Sequence, residues 1–294
     1  DNHYYDFASL GVGSCALGYA DDDVNTKVKE AIDHGSMGTL NSYEEVALAK
    51  KLIELHSWAE MVRFSRTGGE ACAIAVRIAR ASSGRDKVAF CGYHGWHDWF
   101  TVTTPKNKGI PKAYDFLVRT FRYNDYASFE QELDKDVACV IIEPYVYDAP
   151  KDNFLQKIRT ACDKNKTVLI FDEVVTGFRT TNYTAQKMFK VTPDMTVLGK
   201  GLGNGLPIGM VCGKKSLLDE LKGDCFVSST FGGELLSIAA AIETLKIIKD
   251  ERVIDRIWES GERIKSGFNS MVSSMGMKDK MECIGYPCRT FFKF

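Results

Sequence analysis

In the stretch TVLGKGLGNGLPIG, Lys200 follows a short apolar run and is bracketed by Gly199, Gly201, Gly203, Gly205 and Gly209. Glycines let a chain turn sharply and approach a ligand closely, and an amine hemmed in by backbone loses solvation of its charged form. Such an amine is suited to covalent chemistry, the formation of a Schiff base with a carbonyl. A lone lysine in a glycine-rich turn is ordinarily a surface residue, so the assignment depends on its company. Upstream, TVLIFDEVVTG reads as a buried strand, Val168 to Phe171, that ends abruptly in Asp172 and Glu173. A carboxylate at the carboxyl end of a strand sits where open α/β sheets bind ligands.

If Lys200 carries a pyridoxal phosphate, an aspartate facing the ring nitrogen keeps that nitrogen protonated and the ring an electron sink, and Asp172 is the candidate. The alternative for Asp172 and Glu173 is a cap or a structural ion pair. In MVRFSRTGGEACAIAVRIARASSGRDK, Val62 and Phe64 alternate as a strand, and Thr67, Gly68 and Gly69 lead into a helix with Ala71, Ile74, Ala75 and Ile78 on one face. A strand, a small-residue turn and a helix start make an anion site that suits a phosphate, although a Thr-Gly-Gly turn is also an ordinary helix start. VAFCGYHGWHDWF brings Tyr93, His94, Trp96, His97 and Trp99 after another strand. Aromatics there can stack on a flat heteroaromatic ring. His94 and His97, three apart, have no third ligand at helical spacing, so packing and hydrogen bonding are expected of them and no metal site is assigned.

Helical periodicity is clear in VNTKVKEAI, EEVALAKKLIEL, ACAIAVRIARA, LLSIAAAIETLKIIK and VIDRIWESGERIKSGFNSMV, alternating with the strand-like runs CVIIE, VLIF and MTVL. That alternation predicts an α/β fold, a mostly parallel sheet between helices. The glycines after Lys200 lack a GxGxxG pattern, and GKKS has neither the upstream glycine nor the adjacent Ser or Thr of a nucleotide-binding loop, so a nucleotide enzyme is not indicated.

The motifs DFASLGVGSCALGYADDDV, VRFSRTGGEACAIAVRIAR, GYHGWHDWF, CVIIEP, LIFDEVVTGFR, DMTVLGKGLGNGLPIG and SSTFGGELLSIAAA follow in order across nearly the whole chain. Together they resemble the class III (subgroup II) aminotransferases of pyridoxal-phosphate fold type I, on the branch containing glutamate-1-semialdehyde 2,1-aminomutase. The resemblance implies an aspartate-aminotransferase-like large domain with parts of a small α+β domain, pyridoxal 5'-phosphate as cofactor, and a small-molecule amine donor and carbonyl acceptor. It implies that Lys200 attaches the cofactor and shuttles the proton, that Asp172 meets the pyridinium nitrogen, and that Tyr93 and Val174 cover the two ring faces. His94 is counted among the cofactor contacts. Thr67, Gly68 and Gly69 correspond to the phosphate-binding turn, usually Ser-Gly-Thr, so the hydroxyl is displaced. Thr230 matches a threonine that reaches the phosphate from the neighbouring subunit, which implies a homodimer, and Glu143 matches a glutamate on the sheet near the cofactor.

Departures from the pattern bear on the reaction. EPYVYDAP replaces the aminomutase's Val-x-Gly-Asn-Met-Gly stretch, and STFGGE replaces Gly-Thr-Leu-Ser-Gly-Asn, whereas Val175 stands where many omega-type transaminases have a glutamine. Asp148 is either a substrate-side acid or an exposed loop residue. The shared motifs leave intermolecular transamination and intramolecular amino transfer both open, and a shortened, non-catalytic relative is the alternative of a different class.

The family usually extends further at both ends, so a chain shortened at both is expected, with the N-terminal arginine for the substrate carboxylate unassigned. The expected division is the N-terminal part of the small domain, or lead-in, over 1–39, a cofactor-binding large domain over 40–215, and the end of the large domain, connecting helices and the truncated start of a C-terminal small domain over 216–294. A chain of 294 residues with 45% hydrophobic content buries a large core. Its 38 basic and 39 acidic residues give a net charge of −1 without clustering, which offers no electrostatic case for nucleic acid or an anionic membrane. Nine cysteines without a CxxC pair read as reduced, mostly buried thiols of a cytoplasmic protein.

Overall fold

A computed structural model describes residue 3 and residues 10–294; the stretch DFAS of the first motif, residues 6–9, lies outside the described residues. Strands β1 (Met61–Ser65), β2 (Lys87–Cys91), β3 (Val118–Thr120), β4 (Val137–Ile142), β5 (Val168–Asp172), β6 (Met195–Leu198) and β7 (Gly209–Gly213) form one sheet in the order β1-β7-β6-β5-β4-β2-β3. From β3 through β6 all neighbours are parallel. Strand β7 runs antiparallel to both β6 and β1. Two reversals cancel, so β1 points the same way as β6, and the carboxyl ends of β1 through β6 share one edge. Ligands of open α/β sheets bind at that edge.

The longer helices are α1 (Asp22–His34), α2 (Tyr43–Leu55), α3 (Gly68–Ser83), α4 (Phe154–Asn165), α5 (Leu235–Asp250) and α6 (Val253–Ser274). Side chains alternate along each strand: Phe90, Ile141 and Ile170 join the core with α3, whereas Ala89, Ile142 and Phe171 join the core with α4. Both faces are therefore covered, which is why β4 and β5 read as continuous apolar runs rather than as alternating ones. A third core packs α1, α2 and α5 against Phe64, Leu198 and Met210. Among the described residues no helix is long and apolar enough to cross a membrane.

Two elements decide how the edge is equipped. Helix α3 starts where it does because Thr67, in extended conformation, accepts a hydrogen bond from the Glu70 N–H and because Gly84 ends it in the left-handed region. Its small buried residues, Ala71, Cys72 and Ala75, let it lie close to the sheet. The second element is a hairpin, β8 (Glu282–Tyr286) and β9 (Arg289–Lys293), tied to α6 by Lys265 Nζ to the Gly285 carbonyl at 2.6 Å and by Asn269 to Cys283. Its Tyr286 packs edge-on to Tyr145, just past the end of β4, with ring centroids 4.7 Å apart.

The expected helices and the strands CVIIE, VLIF and MTVL are present with small boundary shifts. Strand β7, the hairpin and α4 are additions to the sequence-based expectation. Strand β7 hides in the glycine-rich stretch, and it is held by ladders on both sides rather than by propensity.

Candidate active site

Four loops leave the shared edge, and each delivers a candidate side chain. Asp172 is the last residue of β5, Glu143 follows β4, Tyr93 and His94 follow β2, and Lys200 stands two residues beyond β6. Asp172 is buried, and three polar groups converge on it. The His94 ring lies with Nδ1 2.8 Å from Oδ2, the Cys72 thiol lies 3.4 Å from the same oxygen, and the Val174 N–H donates to Oδ1 at 3.0 Å. His94 is itself locked. Its Nε2 lies 3.2 Å from the Cys91 carbonyl, and the ring stacks on Trp99 between Phe90 and Phe100.

Glu143 is also buried. Its Oε1 accepts from the Tyr93 N–H at 3.0 Å, and its Oε2 faces Arg289 Nη1 at 3.4 Å. Burial pushes the Glu143 carboxyl above the ordinary glutamate value, and neighbouring Asp172 adds to the rise. Burial pushes Lys200 the other way, below the ordinary lysine value, against the pull of Asp172 and Glu143 and with the help of the Arg179 and Arg289 guanidiniums. Lys200 has φ +43°, a left-handed backbone held at the entry of a short 3₁₀ turn over Lys200–Gly203. Arg179 is half-buried with its guanidinium spent on the backbone carbonyls of Val175 and Gly13. Burial lowers its pKa too.

The start of α3 is pressed against this cluster. A Cβ added to Gly68 would lie 2.6 and 2.7 Å from the two methyls of Val174, and Gly199 approaches the same two residues. Gly95, at φ +103°, closes the other side, since a Cβ there would lie 2.8 Å from the Gly69 Cα. The first intrahelical bond is Ala71 N–H to the Thr67 carbonyl, so the amides of Gly68 and Gly69 precede it and, among the described residues, stand open to an anion. The Thr67 hydroxyl accepts from the Glu70 N–H at 3.1 Å, so the helix-end amides rather than this side chain are the candidate anion donors. The donor set fits pyridoxal phosphate in each part: an amine with a destabilised ammonium, a buried carboxylate already held by donors, a glycine-lined helix start, and the exposed ring of Tyr93.

The structure thus brings together Lys200, Asp172, His94, Glu143, Tyr93 and Val174 with the Thr67–Gly69 turn. Thr230 is elsewhere: it is exposed and lines a cavity of about 380 Å³ with Arg63, Phe64, Asn41 and Ser229, which holds none of the other site residues. Asp148 is an exposed loop residue. Cys72, His94 and Asp172 lie close enough to offer atoms to a metal ion. Those atoms are engaged with one another at hydrogen-bonding distances. Sequence reasoning missed Cys72, Arg179 and Arg289. Cys72 reads as one more core residue of an apolar helix, and Arg289 carries no motif.

The sequence profile of the class III aminotransferases matches residues 1–280. The chain belongs to the class III aminotransferase family. Glutamate-1-semialdehyde 2,1-aminomutase of Francisella tularensis subsp. tularensis is 34% identical over 313 residues, an alignment that takes in 99% of this chain and 72% of that protein. Among solved structures, the FumI protein of Sphingopyxis sp. MTA144, in its pyridoxal-phosphate form, superposes with a TM-score of 0.90 at 26% identity over 97% of this chain and 70% of that one. An omega-transaminase from Sphaerobacter thermophilus follows with a TM-score of 0.87 at 27% identity over 95% and 69%. This aminotransferase is a pyridoxal-phosphate-dependent enzyme of amino-group transfer with the α/β fold expected from its sequence.

Proposed function

We propose that this aminotransferase moves an amino group between two small molecules, with Lys200 as the attachment and proton-transfer residue. The observation that carries the proposal is the convergence of Lys200, Asp172 and Glu143 at the carboxyl ends of β6, β5 and β4, with the Lys200 ammonium destabilised by burial. Pyridoxal phosphate, when bound, supplies the aldehyde that captures the amine and the ring that accepts the electron pair. The chain's own residues do the rest. Lys200, as a neutral amine, takes the proton from the carbon beside the amino nitrogen at Nζ and returns it during transfer. Asp172 meets the ring nitrogen, Gly68 and Gly69 bind the phosphate through their amides, and Tyr93 and Val174 flank the ring. Glu143 fixes the loop that carries Tyr93 through the Tyr93 N–H.

Two guanidiniums influence Lys200; among the described residues Arg179 bonds only to backbone carbonyls, while Arg289 makes a long 3.4 Å pair with Glu143. That surplus of positive charge favours substrates that carry a carboxylate, with Arg289 turning from Glu143 to meet it. The exposed position of Thr230, outside its own chain's site, supports a homodimer in which each Thr230 serves the neighbouring subunit. Seven buried and two half-buried free thiols suit the reducing cytoplasm. Intramolecular transfer, as in the aminomutase, is the second reading, favoured by 34% identity over 99% of the chain to proteins of that name. The test is to mix the loaded protein with L-glutamate and assay pyridoxamine phosphate. Pyridoxamine phosphate formed from L-glutamate and consumed again when a second carbonyl compound is added supports transamination, and turnover of glutamate 1-semialdehyde alone supports the second reading. No pyridoxamine phosphate from L-glutamate together with no turnover of the semialdehyde would overturn both.

A further inference from the structure

We infer that Cys72 is a positioning residue: its thiol donates to Oδ2 of Asp172 and, together with His94 on the same oxygen, fixes the carboxylate that faces the cofactor's ring nitrogen. Cys72 lies one turn into α3, and side chains of a helix lean toward its N-terminus. The thiol therefore reaches back over the Gly68–Gly69 turn to the end of β5, where Sγ and Oδ2 are 3.4 Å apart, a normal separation for a sulfur donor. The residue is 1% exposed, so no water competes for the bond. Burial, and then the Asp172 charge, hold the thiol well above its ordinary pKa, so it is present as S–H, the form able to donate.

The arrangement divides the work of the two carboxylate oxygens. Oδ2 faces His94 Nδ1 at 2.8 Å and accepts from the thiol, while Oδ1 accepts from the Val174 backbone amide alone among the described residues. Among the described residues Oδ1 is thus the oxygen with accepting capacity to spare, and two side chains from separate elements prevent the group from rotating. An unconstrained carboxylate would exchange its oxygens and lose alignment, and donors to a carboxylate favour its charged form, the form that pairs with a protonated ring nitrogen. The role is specific to a donor at this position. Alanine or valine would fill or empty the space without contributing to Oδ2, whereas serine keeps an O–H there.

The inference rests on the assignment of Asp172 to the ring nitrogen, and the experiment separates the two. Wild type, Cys72→Val, Cys72→Ser, Cys72→Ala and Asp172→Asn are compared as apoprotein and after loading with 15N-labelled pyridoxal phosphate. The readouts are cofactor affinity by fluorescence and the 15N shift of the ring nitrogen. Cys72→Val and Cys72→Ala are expected to lower affinity about 3- to 10-fold, the net worth of one such hydrogen bond. Both are expected to move the nitrogen signal toward its unprotonated position, with Cys72→Ser close to wild type. The alanine variant stands in if the valine variant does not fold. Equal losses in the serine and valine variants, or an unmoved signal in valine and alanine, would overturn the role of the thiol. If Asp172→Asn moves the signal and neither Cys72→Val nor Cys72→Ala does, only the thiol's role falls. If Asp172→Asn leaves the signal in place, the Asp172 assignment falls with it.

Discussion

Substituting Gly68 by alanine tests whether the start of α3 and the residue after Asp172 and Glu173 are locked together. A Cβ at 68 would lie 2.6 and 2.7 Å from the two γ-methyls of Val174 and 3.3 Å from its Cβ. Relaxed carbon contacts lie at roughly 3.5–4.0 Å, so both methyls are about 1 Å too close. Rotating the valine gives no relief: two methyls share three staggered positions, and any rotation vacates only one of the two crowded ones. Helix α3 or the strand end must shift. Overpacking of this kind costs about 1–3 kcal/mol. Alanine recovers up to about 1 kcal/mol of chain entropy relative to glycine. The expected net loss is therefore about 1–2 kcal/mol, read as a lower urea midpoint at unchanged slope. Because the shifted element carries the anion-binding amides, pyridoxal-phosphate affinity should fall about tenfold as well, and each tenfold is about 1.4 kcal/mol. Combining Gly68→Ala with Val174→Ala should restore part of both losses, with a coupling of about 1 kcal/mol or more. A Gly68→Ala protein as stable and as tightly loaded as wild type, or strict additivity in the double variant, would refute the geometry.

Three further outcomes follow from the titrating and charged groups. Glu173 is fully buried and pushed up to about 7 by that burial. The folded state therefore keeps a proton that the unfolded chain releases at the lower, ordinary glutamate value. The resulting stabilisation is complete below that lower value and is lost as pH rises to about 7; Glu173→Gln should flatten this slope in urea titrations between those limits. For Lys200, cofactor uptake by apoprotein should accelerate with pH through a midpoint below the ordinary lysine value. Glu143→Gln removes a charge that holds the proton on, and should move the midpoint lower still, as stopped-flow absorbance would record. Arg289→Gln should weaken binding of glutarate about tenfold without affecting its neutral analogue glutaramide, measured by calorimetry, because a charge-assisted hydrogen bond is lost from one ligand only.

Lys200 and Asp172 were legible because their chemistry coincides with strong local signals: apolar strands that end in a charged residue, and glycines that have no other reason to cluster. The sheet and its covering helices were legible for the same reason, since VLIF and MTVL are too apolar for a half-exposed strand. What escaped is the set of contacts that only the fold can create. Cys72 and Asp172 are a hundred residues apart and meet because α3 crosses the sheet. Arg289 reaches Glu143 only because the hairpin is seated on α6 and on Tyr145. No residue type or spacing in either segment announces these meetings. The resemblance counts His94 among the candidate cofactor contacts. Its bond to Asp172 depends on the turn of the loop at Gly92 and Gly95, both with positive φ, which local patterning does not specify.

The most direct measurement is reductive trapping. The purified protein is loaded with pyridoxal phosphate, reduced with borohydride, digested, and searched by mass spectrometry for a phosphopyridoxyl group. The account predicts the group on Lys200, in wild type and in Asp172→Asn, and its absence in Lys200→Ala. A phosphopyridoxyl group on another lysine, or none in the wild-type protein, would contradict the assignment of Lys200 and with it the proposed mechanism.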